Sequence, residues 1–194
     1  MNMPTQGFYF DQTRCTNCLT CVVACKDWHN VPAGPVSWIR IKTIEEGRYP
    51  NLNVSFLLQC CYHCARPSCA EVCPVQAIQK RKDDGIVWVD REACLGKERC
   101  GRCSKECFYD VPQFGAEENA KMQKCDLCLG RLTQALKPIC VAACPMRALD
   151  AGPIDELMRK YGGVRAAEGF SFSSKVEPSV IFKLKTKSTL LHLA

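Results

Sequence analysis

Cysteine supplies nearly all of the reactive chemistry in this sequence: it occurs 17 times, and sixteen of those residues fall into four groups of four. Cys15, Cys18, Cys21 and Cys25 are separated by two, two and three residues. Cys61, Cys64, Cys69 and Cys73 are separated by two, four and three, with Pro74 following. Cys94, Cys100, Cys103 and Cys107 are separated by five, two and three. Cys125, Cys128, Cys140 and Cys144 are separated by two, eleven and three, with Pro145 following. Cys60 stands outside the groups and is expected not to be a ligand.

The first spacing is that of the bacterial ferredoxin run, in which three close cysteines hold one 4Fe–4S cube and the fourth reaches a neighbouring cube. A C-x2-C-x2-C loop wraps three corners of a cube and turns backbone N–H groups toward its sulfides. The residues that follow, here Leu19 to Asp27, are expected to turn helical and carry the fourth cysteine away. Each motif therefore needs a partner motif, and four motifs predict two two-cluster modules holding four 4Fe–4S clusters. Zinc is the main competitor, because C-x2-C pairs also make zinc knuckles. Structural zinc sites combine two separate pairs, and a third cysteine bunched against them has no natural place.

A disulfide scaffold fits less well. Met1 to Arg14 contains no apolar run flanked by positive charge, so no secretory signal is expected. Grouped cysteines in a reducing compartment serve metal or redox work. The expected location is the cytoplasm, at a membrane through a partner, or outside it by export together with one. No stretch reaches the ~18 apolar residues that span a bilayer, so no direct membrane span is expected. Catalytic residues are expected to be none: no nucleophile with its base, paired-carboxylate site or phosphate-cradling glycine loop is present. His63, between two cysteines, is expected to shape its loop, and His29 and His192 have no evident companion ligands.

The elements that must position these thiols are short. Gly7-Phe8-Tyr9-Phe10-Asp11 precedes the first motif and Gly85-Ile86-Val87-Trp88-Val89-Asp90 the third, each an alternating strand ending in an Asp that begins a turn. Val36 to Thr43 and Asn53 to Leu58 read as a hairpin arm with Glu45 to Pro50 as its turn. Trp38 is expected to pack in it, with partner docking the alternative. Residues 153–161 read as a helix with Ile154, Leu157, Met158 and Tyr161 on one face and Gly162 after its end. Gly163 to Pro178 reads as irregular, and Lys183, Lys185 and Lys187 as the solvated face of a short strand.

Composition agrees with metal-assisted folding. The apolar fraction of 47% includes cysteine; without it about 38% remains, below the usual ~45–50%. Small units with thin cores rely on metals or disulfides. The formal charge of +6 does not argue for nucleic acid. Four oxidised cubes with their thiolates contribute about −8 and bring the loaded protein to roughly −2. Arginine-rich and aromatic-stacking RNA motifs are absent, and no nucleic-acid partner is expected.

From about Gly7 to Gly162 the chain resembles the iron–sulfur subunits of dimethyl sulfoxide reductase and related molybdopterin or tungstopterin oxidoreductases. The resemblance is carried by Phe10-Asp11, Ala24-Cys25-Lys26-Asp27, Cys61-Tyr62-His63-Cys64, and Cys73-Pro74 with Ala77. It continues through Val111-Pro112-Gln113-Phe114, Lys124-Cys125-Asp126-Leu127-Cys128 and Pro138-Ile139-Cys140. Cys144-Pro145-Met146-Arg147-Ala148-Leu149 and Gly152-Pro153-Ile154-Asp155-Glu156-Leu157 complete it.

The resemblance implies that motif one pairs with motif four and motif two with motif three. Cluster 1 would then be held by Cys15, Cys18, Cys21 and Cys144, and cluster 2 by Cys125, Cys128, Cys140 and Cys25. Cluster 3 would be held by Cys61, Cys64, Cys69 and Cys107, and cluster 4 by Cys94, Cys100, Cys103 and Cys73. It implies an α+β fold of two ferredoxin-like 4Fe–4S modules, one nested in the other, with a β-hairpin arm and an extended C-terminal tail. The outer module would comprise residues 1–30 plus 120–162, the arm 31–58, the inserted module 59–119, and a partner-contacting tail 163–194.

By this resemblance, cluster 1 lies nearest the pterin subunit and cluster 4 at the far end. The expected role is a non-catalytic subunit relaying single electrons to or from a molybdopterin or tungstopterin catalytic subunit. A membrane anchor or another electron donor or acceptor would be the further partner. The alternative is a polyferredoxin subunit of a flavin-linked or hydrogenase-type complex. The chain departs from the family at Leu95 to Arg99, where the usual spacing of two becomes five, and at Phe108, where proline is usual.

Overall fold

The computed structural model describes residues 5–185. Its elements are β1 (Gln6–Asp11), α1 (Thr20–Trp28), β2 (Ile39–Glu46), β3 (Asn53–Cys60), α2 (Ser68–Glu71), β4 (Ile78–Lys80) and β5 (Val87–Val89). They continue with α3 (Arg102–Glu106), α4 (Leu129–Leu132), α5 (Ile139–Ala142), β6 (Leu149–Pro153), α6 (Ile154–Tyr161) and β7 (Val180–Lys183). This small mixed α/β fold carries three separate sheets, ordered β6-β1-β7, β2-β3 and β4-β5.

β1 is the central strand of the largest sheet, antiparallel to β6 and parallel to β7. Its expected alternation of buried and exposed residues is absent, since Phe8, Tyr9, Phe10 and Asp11 are all buried. Both faces are covered, which removes the polar side of the pattern. Phe8 and Phe10 face the main core with Leu58, Tyr62 and Phe182. Tyr9 faces the other way, against Ile154 and Leu157 of α6 and Ile181 of β7. Gly7 is required here because a Cβ would collide with the Ser179 carbonyl where β7 approaches.

The hairpin arm forms, with Ile39 opposite Cys60 and Glu46 opposite Asn53. Its boundaries differ from the expected ones: Glu45 and Glu46 belong to β2 rather than to the turn, and β3 continues to Cys60. The arm therefore runs directly into the second cysteine motif. Helix α6 begins at Ile154 and ends at Tyr161, capped by Gly162, whose φ is 62°.

Residues 163–185, expected as an irregular, extended tail, pack against the rest of the fold. Val164 bridges Phe182, Phe170 and Val176 are buried, and Arg66 is held by the Ser174 and Lys175 carbonyls. Lys183 and Lys185 are exposed, as expected of a solvated face; Lys183 pairs with Asp11 at 3.5 Å, and Lys185 donates to the Val54 carbonyl at 2.8 Å. Thr186, Lys187 and His192 lie outside the described residues. Among the described residues no helix is long and apolar enough to cross a membrane.

Candidate metal centres

β1 delivers the first motif. Past its end the Thr13 N–H and hydroxyl both donate to the Asp11 carboxylate, at 2.9 and 2.5 Å. Asn17 and Leu19 then take left-handed φ values of 56° and 60°. Such residues turn successive N–H groups to one side and make a concavity suited to an anion. The device recurs at His63 (φ 45°), Gly101 (58°), Leu127 (59°) and Cys128 (52°) in the other motifs.

A second repeat closes three of the motifs. Gln76, Asp110 and Arg147, each three residues past a final cysteine, have φ values of 50°, 49° and 49°. Their N–H groups donate to the carbonyls of Cys73, Cys107 and Cys144 at 3.1, 3.2 and 3.1 Å. Phe108 stands where the other two motifs have proline, and the same turn forms.

The thiols gather in four groups. Cys15, Cys18, Cys21 and Cys144 line one recess with Phe10, Ile41 and Leu149. Burial pushes the Cys21 thiol up to about 12, and the neighbouring Cys144 and Cys15 sulfurs add to the rise. Cys18 is the exposed member; the Thr20 hydroxyl, 3.4 Å from its sulfur, lowers its pKa.

Cys73, Cys94, Cys100 and Cys103 line a second recess with Ile78, Phe114 and Met122. Burial, followed by Cys94 and Cys100, pushes Cys103 up to about 11. The longer spacing after Cys94 forms an ordered cap. Gly96 N–H donates to the Cys94 sulfur at 3.4 Å, Lys97 N–H to the Ala120 carbonyl at 2.9 Å, and Asn119 Nδ2 to the Leu95 carbonyl at 2.9 Å.

Of the remaining thiols, Cys25, Cys125, Cys128 and Cys140 are all buried. Cys140 is raised by burial, then by Cys128 and Cys25. Cys125 belongs to the same neighbourhood, raised by burial and then by Cys60, Cys25 and Cys140. Cys64 is raised by burial, then by Cys61, Cys69 and Cys107. Leu127 and Ala148 N–H groups donate to the Cys125 and Cys144 sulfurs, each at 3.3 Å.

Zinc does not suit these groups. Among the described residues, only His29, Asp126 and Cys128 have three potential ligand atoms within 4.8 Å of one another. Thiolates on one tetrahedral zinc, with bonds of about 2.3 Å, would lie about 3.8 Å apart. The four-thiol groups are too open for a single ion and suit a larger body with one sulfur at each corner.

Two residues, His29 and Lys124, have roles the sequence reading did not assign, whereas Cys60 is buried as its place after Phe56, Leu57 and Leu58 leads one to expect. His29 does have a companion: its Nε2 lies 3.3 Å from the Cys128 sulfur, and its ring packs 4.4 Å from Trp38. His29 follows Cys25 by four residues at the end of α1, a spacing that puts both on one helical face and was the available signal. Lys124 is 2% exposed, although it reads as an ordinary charge beside a motif. Cys60, also 2% exposed, donates to the Cys61 carbonyl at 3.6 Å and lies near Cys140 and Cys25. His63 behaves as expected: wholly buried, it accepts the Val87 N–H at its Nδ1 at 3.1 Å. Trp38 packs as expected and donates to the Gln123 side-chain oxygen at 3.0 Å.

Residues 52–154 match a family described as "4Fe-4S dicluster domain". The sequence is 40% identical to one of the polypeptides of the anaerobic dimethyl sulfoxide reductase of Escherichia coli, over 96% of this chain and 92% of that protein. It is 35% identical to a subunit of the sulfite dehydrogenase of Allochromatium vinosum, over 79% of this chain and 71% of that one. To the formate dehydrogenase iron–sulfur subunit of Wolinella succinogenes it is 34% identical, over 77% and 82% respectively.

Proposed function

This protein belongs to the iron–sulfur subunits of the dimethyl sulfoxide reductase type within the molybdopterin oxidoreductases, and from that premise we propose that it relays single electrons through four 4Fe–4S clusters. It is a non-catalytic electron-transfer subunit. Each cube, when bound, accepts one electron and gives it up again.

The chain's own part is to hold, space and insulate the cubes. Cys15, Cys18, Cys21 and Cys144 hold the first, and Cys25, Cys125, Cys128 and Cys140 the second. Cys61, Cys64, Cys69 and Cys107 hold the third, and Cys73, Cys94, Cys100 and Cys103 the fourth. The observation carrying this reading is the exchange of final cysteines between distant motifs. Cys144 adjoins Cys15 and Cys21, Cys25 adjoins Cys128, Cys107 adjoins Cys64, and Cys73 shares the Cys94 recess. Residues 59–119 then form a module inserted in the outer one. The aliphatic and aromatic lining around each recess excludes water and limits the reorganisation that accompanies electron transfer.

The catalytic partner is a molybdopterin or tungstopterin subunit docked beside Cys18, with the Cys94 end facing a membrane anchor or another electron carrier. Attachment to a membrane, where it occurs, comes through that partner. Anaerobic analysis of the isolated chain should give about sixteen irons and sixteen acid-labile sulfides, and the co-purified complex should contain molybdenum or tungsten. Values near half would leave one module empty. A flavin or nickel–iron partner without either metal would favour a polyferredoxin instead.

A further inference from the structure

Lys124 is a buried cation without a counter-anion. Its ammonium donates to the carbonyls of Val87 and Cys125, the latter at 3.1 Å, and no carboxylate pairs with it among the described residues. Two neutral carbonyls do not balance a buried ammonium, which needs a negative group close by. Val87 N–H in turn donates to His63 Nδ1. One hydrogen-bonded strut thus joins the second-motif loop, β5, Lys124 and the fourth-motif loop.

The charge acts on both sides of that strut. On one side the strut runs through Val87 to His63, which stands between Cys61 and Cys64. On the other side Lys124 is bonded to the backbone of Cys125 itself. Lys80 provides the contrast: its ammonium reaches the Cys64 and Gly85 carbonyls, each at 2.9 Å, and makes no hydrogen bond to the fourth motif.

We propose that Lys124 is a positioning residue for electron transfer, a buried positive charge fixed between the cube held by Cys25, Cys125, Cys128 and Cys140 and the cube held by Cys61, Cys64, Cys69 and Cys107. It makes an electron more stable on both, and so joins the two modules into one relay. An electron enters a cube and leaves it, and no bond or proton changes partner. The inference rests on the ligand sets proposed above.

The test is a potentiometric titration of the complete complex followed by EPR, after iron analysis of the unaltered protein. An unaltered protein with fewer than four cubes would defeat the ligand assignment, independently of Lys124. With four cubes present, Lys124→Met should make two of them at least tenfold harder to reduce, which for a one-electron couple is about 59 mV. The other two should move less, and Lys80→Met should move one cube only. Equal shifts in all four cubes, or none, would overturn the proposal. If Lys124→Met does not load its cubes, Lys124→Gln and Lys124→Arg decide. Loading by Arg alone, or by both with only Gln lowering the two potentials, supports a charge role. Failure of both, loading by Gln alone, or equal potentials in the two variants overturns it.

Discussion

Around the first and fourth motifs, three strands and α6 enclose Phe8, Phe10, Val180, Ile181 and Phe182, none more than 1% exposed. Around the third motif, two strands of three residues each cover Ile78, Val87 and Met122. The first region has a core of its own, to which its thiols are added. The second has so little apolar cover that its thiols and whatever they bind make up much of its interior. Depth of core, rather than number of cysteines, therefore separates the two regions in how far they depend on metal.

The sharpest way to break that comparison is to remove the metal. Chelation under air should leave the β4–β5 amides exchanging at nearly unprotected rates, while β1 and β7 keep partial protection. Equal loss in both regions, followed by hydrogen exchange, would show that the larger core does not stand by itself. Next in size, Phe182→Ala should cost about 3–5 kcal/mol in denaturant unfolding of the loaded chain, and Ile78→Ala less, toward the lower end of about 2–5 kcal/mol. The reverse order would place the deeper core in the inserted region.

A smaller effect is expected where the arm meets the second motif. Cys60→Ala should keep four cubes and cost about 1 kcal/mol, as a small buried hydrophobe would. Cys61→Ala should instead lose a cube or leave a 3Fe–4S form, visible in the oxidised EPR spectrum. Reversal of the two spectra would shift the motif by one residue.

The smallest effect concerns Asp150 in the outer sheet. Burial alone would raise its pKa, but Lys137 and the Tyr161 hydroxyl, each 2.8 Å away, hold it at about 2. A carboxyl depressed in the folded state contributes fully above its unfolded value of about 3.9 and loses that contribution only as pH falls toward 2. The stability gap between the unaltered chain and Asp150→Asn should therefore be constant from about pH 6 to 9. A gap that narrows across this window, in denaturant titrations, would mean that another group carries it.

Much of the site could be read from cysteine spacing, because a loop wrapped on a cube leaves a short, local signature. The longer spacing after Cys94 was still readable as a group, and the structure shows why it keeps its thiols together: Asn119 and Ala120 tie the added residues down. What stayed hidden was non-local. Val180 to Lys183 has no feature of its own that points to parallel pairing with β1. Tyr9 reads as the outward residue of an alternating strand until α6 covers it. Lys124 and His29 carry no spacing that announces burial beside a thiol, apart from the helical interval from Cys25 to His29.

The outer sheet also sets an order in time. β1 leaves the ribosome first, while its neighbours β6 and β7 follow some 140 and 170 residues later, a delay on the order of ten seconds at ordinary rates of synthesis. For that interval Cys15, Cys18, Cys21 and Cys25 wait without the strands that will enclose them. β4 and β5, only a few residues apart in sequence, meet almost as soon as they are made. The first motif is thus the one that waits longest in synthesis, open to oxygen and to stray metal, for the sheet that encloses it.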